Sequence, residues 1–251
     1  MQVLPWRATA GTASPTAWLN ARSNRPINTI LFDMDGVLAD VSMSYRVAVV
    51  DTAKQYGVLV TQNDIVAAKA TGEMNNDWVL THYLVTKGIA QNNATTPTTP
   101  SPATTVTLEE ITAKFQAIYE GNDATPGLRD KESLLVSLGL MEELKRRCSK
   151  GMAVVTGRPK AEADYFLRLH NLTHLFDAVV TMDDAPDKPD PAPVRLALAQ
   201  LGATADEAIM VGDTPSDMIA ATKAGVRCLS FFLFQFESTH NYHLWMEYTI
   251  E

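Results

Sequence analysis

The chain is poor in cysteine. Two, Cys148 and Cys228, stand in 251 residues, too few for a disulfide framework, and a reducing compartment is the expected setting. Neither has a recognisable base beside it in sequence, so both read as packing or surface thiols rather than nucleophiles. No apolar run reaches the roughly 20 residues that a transmembrane helix needs. No Lys/Arg-rich stripe is present and the formal charge is −8, which argues against nucleic acid or an anionic membrane as the main partner. A small anionic ligand remains compatible, because one local lysine and a metal can reverse the field inside a pocket. Acid is missing altogether from residues 1–32, which carry Arg7, Arg22 and Arg25 among Ala, Ser and Thr. An N-terminal extension over 1–26, with Trp6 and Trp18 docking on the body, is favoured over an organelle transit peptide. A cytoplasmic location is therefore expected, with an organellar one following if that segment is a transit peptide. Charge is also missing from residues 88–108, whose core Ala94-Thr-Thr-Pro-Thr-Thr-Pro-Ser-Pro102 is low in complexity and reads as a flexible surface loop.

What is present is ordinary for a soluble globular chain, 46% apolar and 20% charged, with ample length for a core. Asn28 to Asp33 reads as a strand. Tyr45, Ala48, Val49, Thr52, Ala53 and Tyr56 follow helical spacing, and Gly57 closes that segment. Further helices are expected near 62–71, 76–87 and 108–120. After Pro126-Gly127 the pattern changes to strict alternation: helix 131–147, strand 152–156, helix 160–170, strand 178–181, helix 192–201, strand 208–212, helix 216–224 and strand 226–232. Alternating β and α predicts a parallel sheet with helices on both faces. The mostly helical block 43–125 interrupts it as an inserted lobe. The sequons at Asn93 and Asn171 read as chance matches, and His240 and His243 as surface or packing residues, no further ligands being near.

The most informative run is Ile30-Leu-Phe-Asp33-Met-Asp35-Gly-Val-Leu-Ala-Asp40. An apolar strand ends there in two carboxylates and a glycine. In open α/β sheets ligands bind just outside such strand ends. Three more ends carry polar groups: Thr156-Gly157-Arg158, Lys188 in Asp187-Lys-Pro-Asp-Pro191, and Asp213 and Asp217 in Gly212-Asp-Thr-Pro-Ser-Asp217. In a parallel sheet all four ends share one edge. Clustered carboxylates repel unless a cation joins them, and Mg²⁺ suits oxygen ligands while keeping several waters. Phosphoryl transfer fits the set. Asp33 would attack phosphorus, Asp35 would protonate the leaving oxygen and later deprotonate water, and Thr156 and Lys188 would bind the transferring oxygens. Arg158 reads as a surface residue, with a phosphate contact as the minority reading, Asp183 and Asp184 as solvated loop charges, and an N-cap role competes for Asp213 and Asp217.

These four motifs, in this order, resemble the haloacid dehalogenase superfamily of phosphohydrolases over residues 28–42 and 126–232. The resemblance implies a Rossmann-like core over 27–42 and 126–251, with a helical cap over 43–125 in the C1 arrangement of subfamily IA. It implies Asp33 as nucleophile and Asp35 as acid/base. The metal would be held by the Asp33 side chain, the Asp35 main-chain carbonyl and Asp213, with Asp217 in support. Pro126-Gly127 resembles the point where related phosphatases and mutases re-enter the core. Asp35 disfavours a haloalkanoate dehalogenase or a phosphonoacetaldehyde hydrolase. A Mg²⁺-dependent phosphatase for a small phosphorylated metabolite is expected, as a monomer or homodimer. The runners-up are a phosphomutase and a non-catalytic phospho-ligand sensor. Candidate substrate contacts are Thr156, Gly157 and Lys188 in the core, and Tyr45, Arg46, Asn75, Asn76 and Trp78 in the cap.

Overall fold

The computed structural model describes residues 26–69, 74, 76–95, 106–122, 124–234 and 243–249. The N-terminal extension, Asn75, the Thr/Pro-rich stretch 96–105 and His240 lie outside them. Among the described helices none is long and apolar enough to cross a membrane.

The core is built on β1 (Thr29–Phe32), whose four residues are all buried. It runs parallel between β6 (Gly151–Val155) and β8 (Ala208–Gly212), with Phe32 level with both Val154 and Val211. β7 (Ala178–Val180) lies outside β6, and β9 (Arg227–Phe234) outside β8. These five strands are parallel. A sixth, β10 (His243–Thr249), pairs antiparallel with β9 at the edge. Sequence reading expected no strand in that tail; His243 falls within it. Successive side chains of β1 point to opposite faces. Ile30 and Phe32 enter one core with Met152, Val154, Phe166 and Phe176. Leu31 enters the other with Ala153, Val155, Val194 and Met210. α5 (Leu138–Arg147) and α6 (Lys160–Leu169) cover the first face, α7 (Ala192–Leu201) and α8 (Pro215–Ala224) the second. Truncating Leu31 to Ala in such packing costs about 2–5 kcal/mol.

Between β2 (Ala39–Asp40) and β5 (Ser133–Leu134), which pair with each other, the chain leaves to form four helices. These are α1 (Tyr45–Gln55), α2 (Gln62–Lys69), α3 (Asp77–Thr95) and α4 (Leu108–Glu120). Their own core holds Tyr45, Ala48, Val49, Ile65, Leu80, Phe115 and Tyr119. The helical spacing seen in 45–56 is the buried face of α1. The return runs through the short pair β3 (Gly121–Asn122) and β4 (Thr125–Pro126). A Cβ on Gly127 would lie 2.3 Å from the Glu120 carbonyl, so only glycine lets the two backbones pass this closely.

Two expectations need correction. Residues 88–95 are helix, not loop: Ile89 packs against the cluster of Val58, Val85 and Ile111, and α3 runs to Thr95 with no proline in it. Residues 131–137 are not the start of a helix. Leu128–Lys131 form a 3₁₀ turn, Ser133 and Leu134 pair with β2, and Ser137 caps α5 by accepting from the Leu140 N–H at 3.2 Å. The extended stretch is what lets Glu132 turn inward and become buried.

Candidate active site

Because β1, β6 and β8 are level, the residues that follow them meet at one edge of the sheet. A cavity of about 140 Å³ lies there, lined from the core by Asp33, Asp35, Gly36, Gly157, Lys188 and Asp213. Its other wall is cap: Tyr45, Arg46, Lys69, Asn76, Asp77 and Trp78.

Lys188 is the hub of the deeper end. Its Nζ donates to Asp33 Oδ1 at 2.8 Å and to the Val155 carbonyl at 3.0 Å, and lies 2.6 Å from Asp217 Oδ1. Asp217 is wholly buried at the third position of α8. Its Oδ2 accepts from the Thr214 N–H at 3.0 Å and the Thr214 hydroxyl at 2.6 Å, and Thr214 caps the helix in return. Thr214 is thus the cap, and Asp213 is free of that duty. Asp213 Oδ1 is buried with no hydrogen-bond partner among the described residues. Gly36, at φ +74°, gives Asp213 its room: a Cβ there would sit 2.0 Å from Asp213 Oδ2.

Electrostatics follow from this count. Burial first, and then the Asp217 charge, push the Asp33 carboxyl up to about 7 against the pull of Lys188. Burial likewise lifts Asp213 well above the usual carboxylate range, with Asp33 and Asp217 adding to it. For Lys188, burial works downward, and the Asp217 and Asp33 carboxylates outweigh it, so its ammonium titrates above an ordinary lysine. One ammonium does not neutralise three carboxylates, two of them buried and the third half-buried. Oxygens of Asp33, Asp213 and Asp217 all lie within 4.8 Å of one another. An all-oxygen donor set, an orphaned buried oxygen and surplus negative charge together fit a hard divalent cation.

The outer end is organised by Arg158, which sequence reading left on the surface. It is 2% exposed, one of the largest fully buried side chains described. Its Nε donates to Asp35 Oδ1 at 2.7 Å, and its Nη2 lies 2.5 Å from the same oxygen. Nη1 donates to Glu132 Oε2 at 2.9 Å and to the Tyr119 hydroxyl at 3.1 Å. Glu132 and Arg158 are 26 residues apart in sequence, and no local motif marks Glu132. The only sequence signal was that Arg158 follows a strand on the ligand edge.

The remaining candidates divide. Gly157, Lys188, Tyr45, Arg46, Asn76 and Trp78 line the cavity. Thr156 does not; it is buried, and its hydroxyl accepts from the Arg158 N–H at 3.1 Å, shaping the turn. Asn76 caps α3, its Oδ1 accepting from the Trp78 and Val79 N–H groups at 3.0 and 3.2 Å. Tyr45 is buried and donates to Glu162. Asp184 accepts from the Thr181 N–H at 2.9 Å and Asp183 from the Lys160 N–H at 2.9 Å, so both tie loops. Sequence reasoning missed Lys69, which reaches the cavity from the end of α2 and pairs with Asp77 at 2.9 Å.

A family model described as haloacid dehalogenase-like hydrolase matches residues 132–231. The imidazoleglycerol-phosphate dehydratase of Phytophthora nicotianae is 48% identical over 200 residues, which are 80% of this chain and 42% of that protein. The pyrophosphatase PpaX of Bacillus velezensis is 33% identical over 120 residues, 47% of this chain and 46% of the relative. The chain thus spans less than half the length of these two curated relatives. Among solved structures, one named a predicted phosphoglycolate phosphatase, from Haemophilus somnus, superposes with a TM-score of 0.63 at 21% identity, covering 83% of this chain and 86% of that one. That likeness shows the shared fold, an α/β sheet with an inserted helical lobe. Motif order, strand-end geometry and the family match over residues 132–231 agree in likening this chain to the haloacid dehalogenase-like hydrolases.

Proposed function

We propose that this chain is a Mg²⁺-dependent phosphatase of small phosphate monoesters that works through a phosphoryl group on Asp33. The observation that carries the reading is the trio Asp33, Asp213 and Asp217 around a single lysine, at the strand ends beside a cavity.

Asp33, Asp213 and the Asp35 main-chain carbonyl would hold the cation, with Asp217 behind them. When bound, a hard divalent ion supplies the positive charge that lets neighbouring carboxylates stay ionised and that draws phosphoryl oxygens in. Lys188 engages Asp33 Oδ1, which leaves Oδ2 to attack phosphorus. The Asp33 Oδ2–P bond forms as the ester P–O bond breaks, and the departing oxygen takes a proton from Asp35. Water then attacks the aspartyl phosphate and gives its proton to Asp35; inorganic phosphate leaves and Asp33 is restored. Lys188 and the Gly157 turn, which line the cavity, favour the charge spread over the phosphoryl oxygens in the transition state, and the Thr156 hydroxyl shapes that turn. The cap wall excludes water and contacts the rest of the substrate.

A cavity of about 140 Å³ is well below the roughly 300–1,000 Å³ of pockets for drug-sized ligands. A phosphoryl group on a short polar skeleton is the size class that matches. Arg46 on the cap side favours a second anionic or hydroxyl-rich end, Lys69 being paired with Asp77.

The test is phosphate release from phosphorylated C2–C6 acids, polyols and sugars, imidazole-bearing phosphate esters and inorganic pyrophosphate, the last two prompted by the relatives' names. Release with Mg²⁺ that stops with chelator and in Asp33→Asn is expected. Undiminished release from Asp33→Asn would overturn the covalent route.

A further inference from the structure

The fully buried Arg158 borders the same cavity, and it grips one of the site's acidic side chains, Asp35. Asp35 stands at the cavity mouth with its side chain about one-third exposed (33%). A carboxylate so placed has several rotamers open to it. Two nitrogens of one guanidinium converge on its Oδ1 and select one of them, and a planar fork does this better than an ammonium.

The guanidinium is itself fixed from several directions. Glu132, buried at the point where the chain re-enters the core, takes Nη1, and its other oxygen accepts from the Ser44 hydroxyl at 2.7 Å and the Tyr119 hydroxyl at 3.1 Å. The Arg158 carbon lies 4.9 Å from the centre of the Tyr45 ring and 5.4 Å from that of Phe166. Ser44, Tyr45 and Tyr119 belong to the cap side, Phe166 to the core. A second tie runs alongside: Glu162 on α6 accepts from Tyr45 on α1 and from Gln116 on α4, the latter at 2.7 Å. Cap and core therefore meet on one arginine, and that arginine ends on Asp35.

We propose that Arg158 is a positioning residue: it sets the Asp35 carboxylate for proton transfer and, through Tyr119, Tyr45 and Glu132, makes that setting depend on the seat of the cap. The proposal rests on the reading of Asp35 as acid/base given above. A purely structural arginine would affect all substrates alike. A positioning arginine would affect the substrates that need the acid. A poor leaving group, an alkoxide, needs a proton from Asp35 as its P–O bond breaks; a nitrophenolate does not.

The experiment compares kcat/KM for p-nitrophenyl phosphate with kcat/KM for the alkyl phosphate released fastest in the panel, in wild type, Arg158→Lys, Tyr119→Phe and Asp35→Asn, all with Mg²⁺. This ratio reports the step that forms the phosphoryl-enzyme. General acid catalysis contributes typically about 10²–10⁴-fold. Arg158→Lys is expected to raise the aryl-to-alkyl ratio about 10–100-fold and Tyr119→Phe about 3–10-fold, with Asp35→Asn raising it most. Tyr119→Phe removes one hydroxyl and keeps the ring, so it carries the test if Arg158→Lys fails to fold. Equal losses on both substrates, or no loss in either variant, would overturn the positioning role. An unchanged ratio in Asp35→Asn would overturn it at its root, by removing the acid that Arg158 is said to place. Turnover surviving Asp33→Asn would instead strike the phosphatase mechanism itself.

Discussion

Two buried charge clusters sit side by side in this molecule, and they are built differently. Around Lys188, two carboxylates share one ammonium, and a third, Asp213, stands close to both and keeps an oxygen with no partner among the described residues. Around Arg158, both oxygens of Glu132 are taken, by Arg158, Ser44 and Tyr119, and the guanidinium spans Asp35 and Glu132. Buried charge is tolerated when it is paired and hydrogen-bonded. The second cluster also has more carboxylates than cations, but Glu132 is hydrogen-bonded at both oxygens and the guanidinium is engaged at three nitrogens, so it meets that condition and can serve as a fixed frame. The first meets it only when further positive charge arrives, which suits a site made to bind a cation and a phosphoryl group.

The largest expected effect breaks the first cluster's chemistry. Asp33→Asn should lower phosphate release by at least about 10³-fold, as loss of a covalent nucleophile does, while circular dichroism stays native. Next comes the frame. Glu132→Ala strips Arg158 of a buried partner and should cost about 3–5 kcal/mol in urea unfolding; a loss below about 1 kcal/mol would show that Arg158 does not depend on it.

The first cluster also sets a response to pH. The folded state raises the Asp33 carboxyl from its ordinary 3.8 to about 7, so between these values it holds a proton that the unfolded chain gives up. Its contribution to stability is present below about 4 and is lost as pH rises through 7. Metal-free protein should therefore melt at lower temperature at pH 7.5 than at pH 5.5, and Mg²⁺ should reverse that fall. Asp213→Asn, which removes one repelling charge, should raise the metal-free stability at pH 7.5 by about 1–2 kcal/mol and blunt the Mg²⁺ response. A metal-free melting temperature that rises from pH 5.5 to 7.5 would contradict this. The smallest effect is the control: Glu143, partly exposed and paired with Arg146 and, at 2.6 Å, with Arg147, forms surface ion pairs, and Glu143→Gln should leave the melting temperature nearly unchanged.

The first cluster was legible in the sequence and the second was not, for a physical reason. Asp33, Asp213 and the Thr156 turn each end an apolar strand, and parallel strands bring their ends to one edge. Local pattern plus one topological rule therefore places them. Lys188 needed only the further step of a loop beside that edge. Arg158 and Glu132 obey no local rule: one sits in a strand-to-helix turn, the other in a short extended stretch that helical periodicity ran straight through. Their pairing depends on how the cap is seated. The same holds for Lys69, which enters the cavity only because α2 ends there, and for α3, which continues to Thr95 on the packing of Ile89 despite a composition that reads as loop.

The central claim is that phosphate passes through Asp33. Acid quench of the protein turning over its best substrate with Mg²⁺, followed by borohydride reduction and peptide mass spectrometry, reads this directly, because the reagent reduces acyl phosphates and leaves free carboxylates. Reduction confined to position 33, absent without substrate, is the predicted result. Turnover with no reduction at Asp33, or with the mark on another carboxylate, would contradict it.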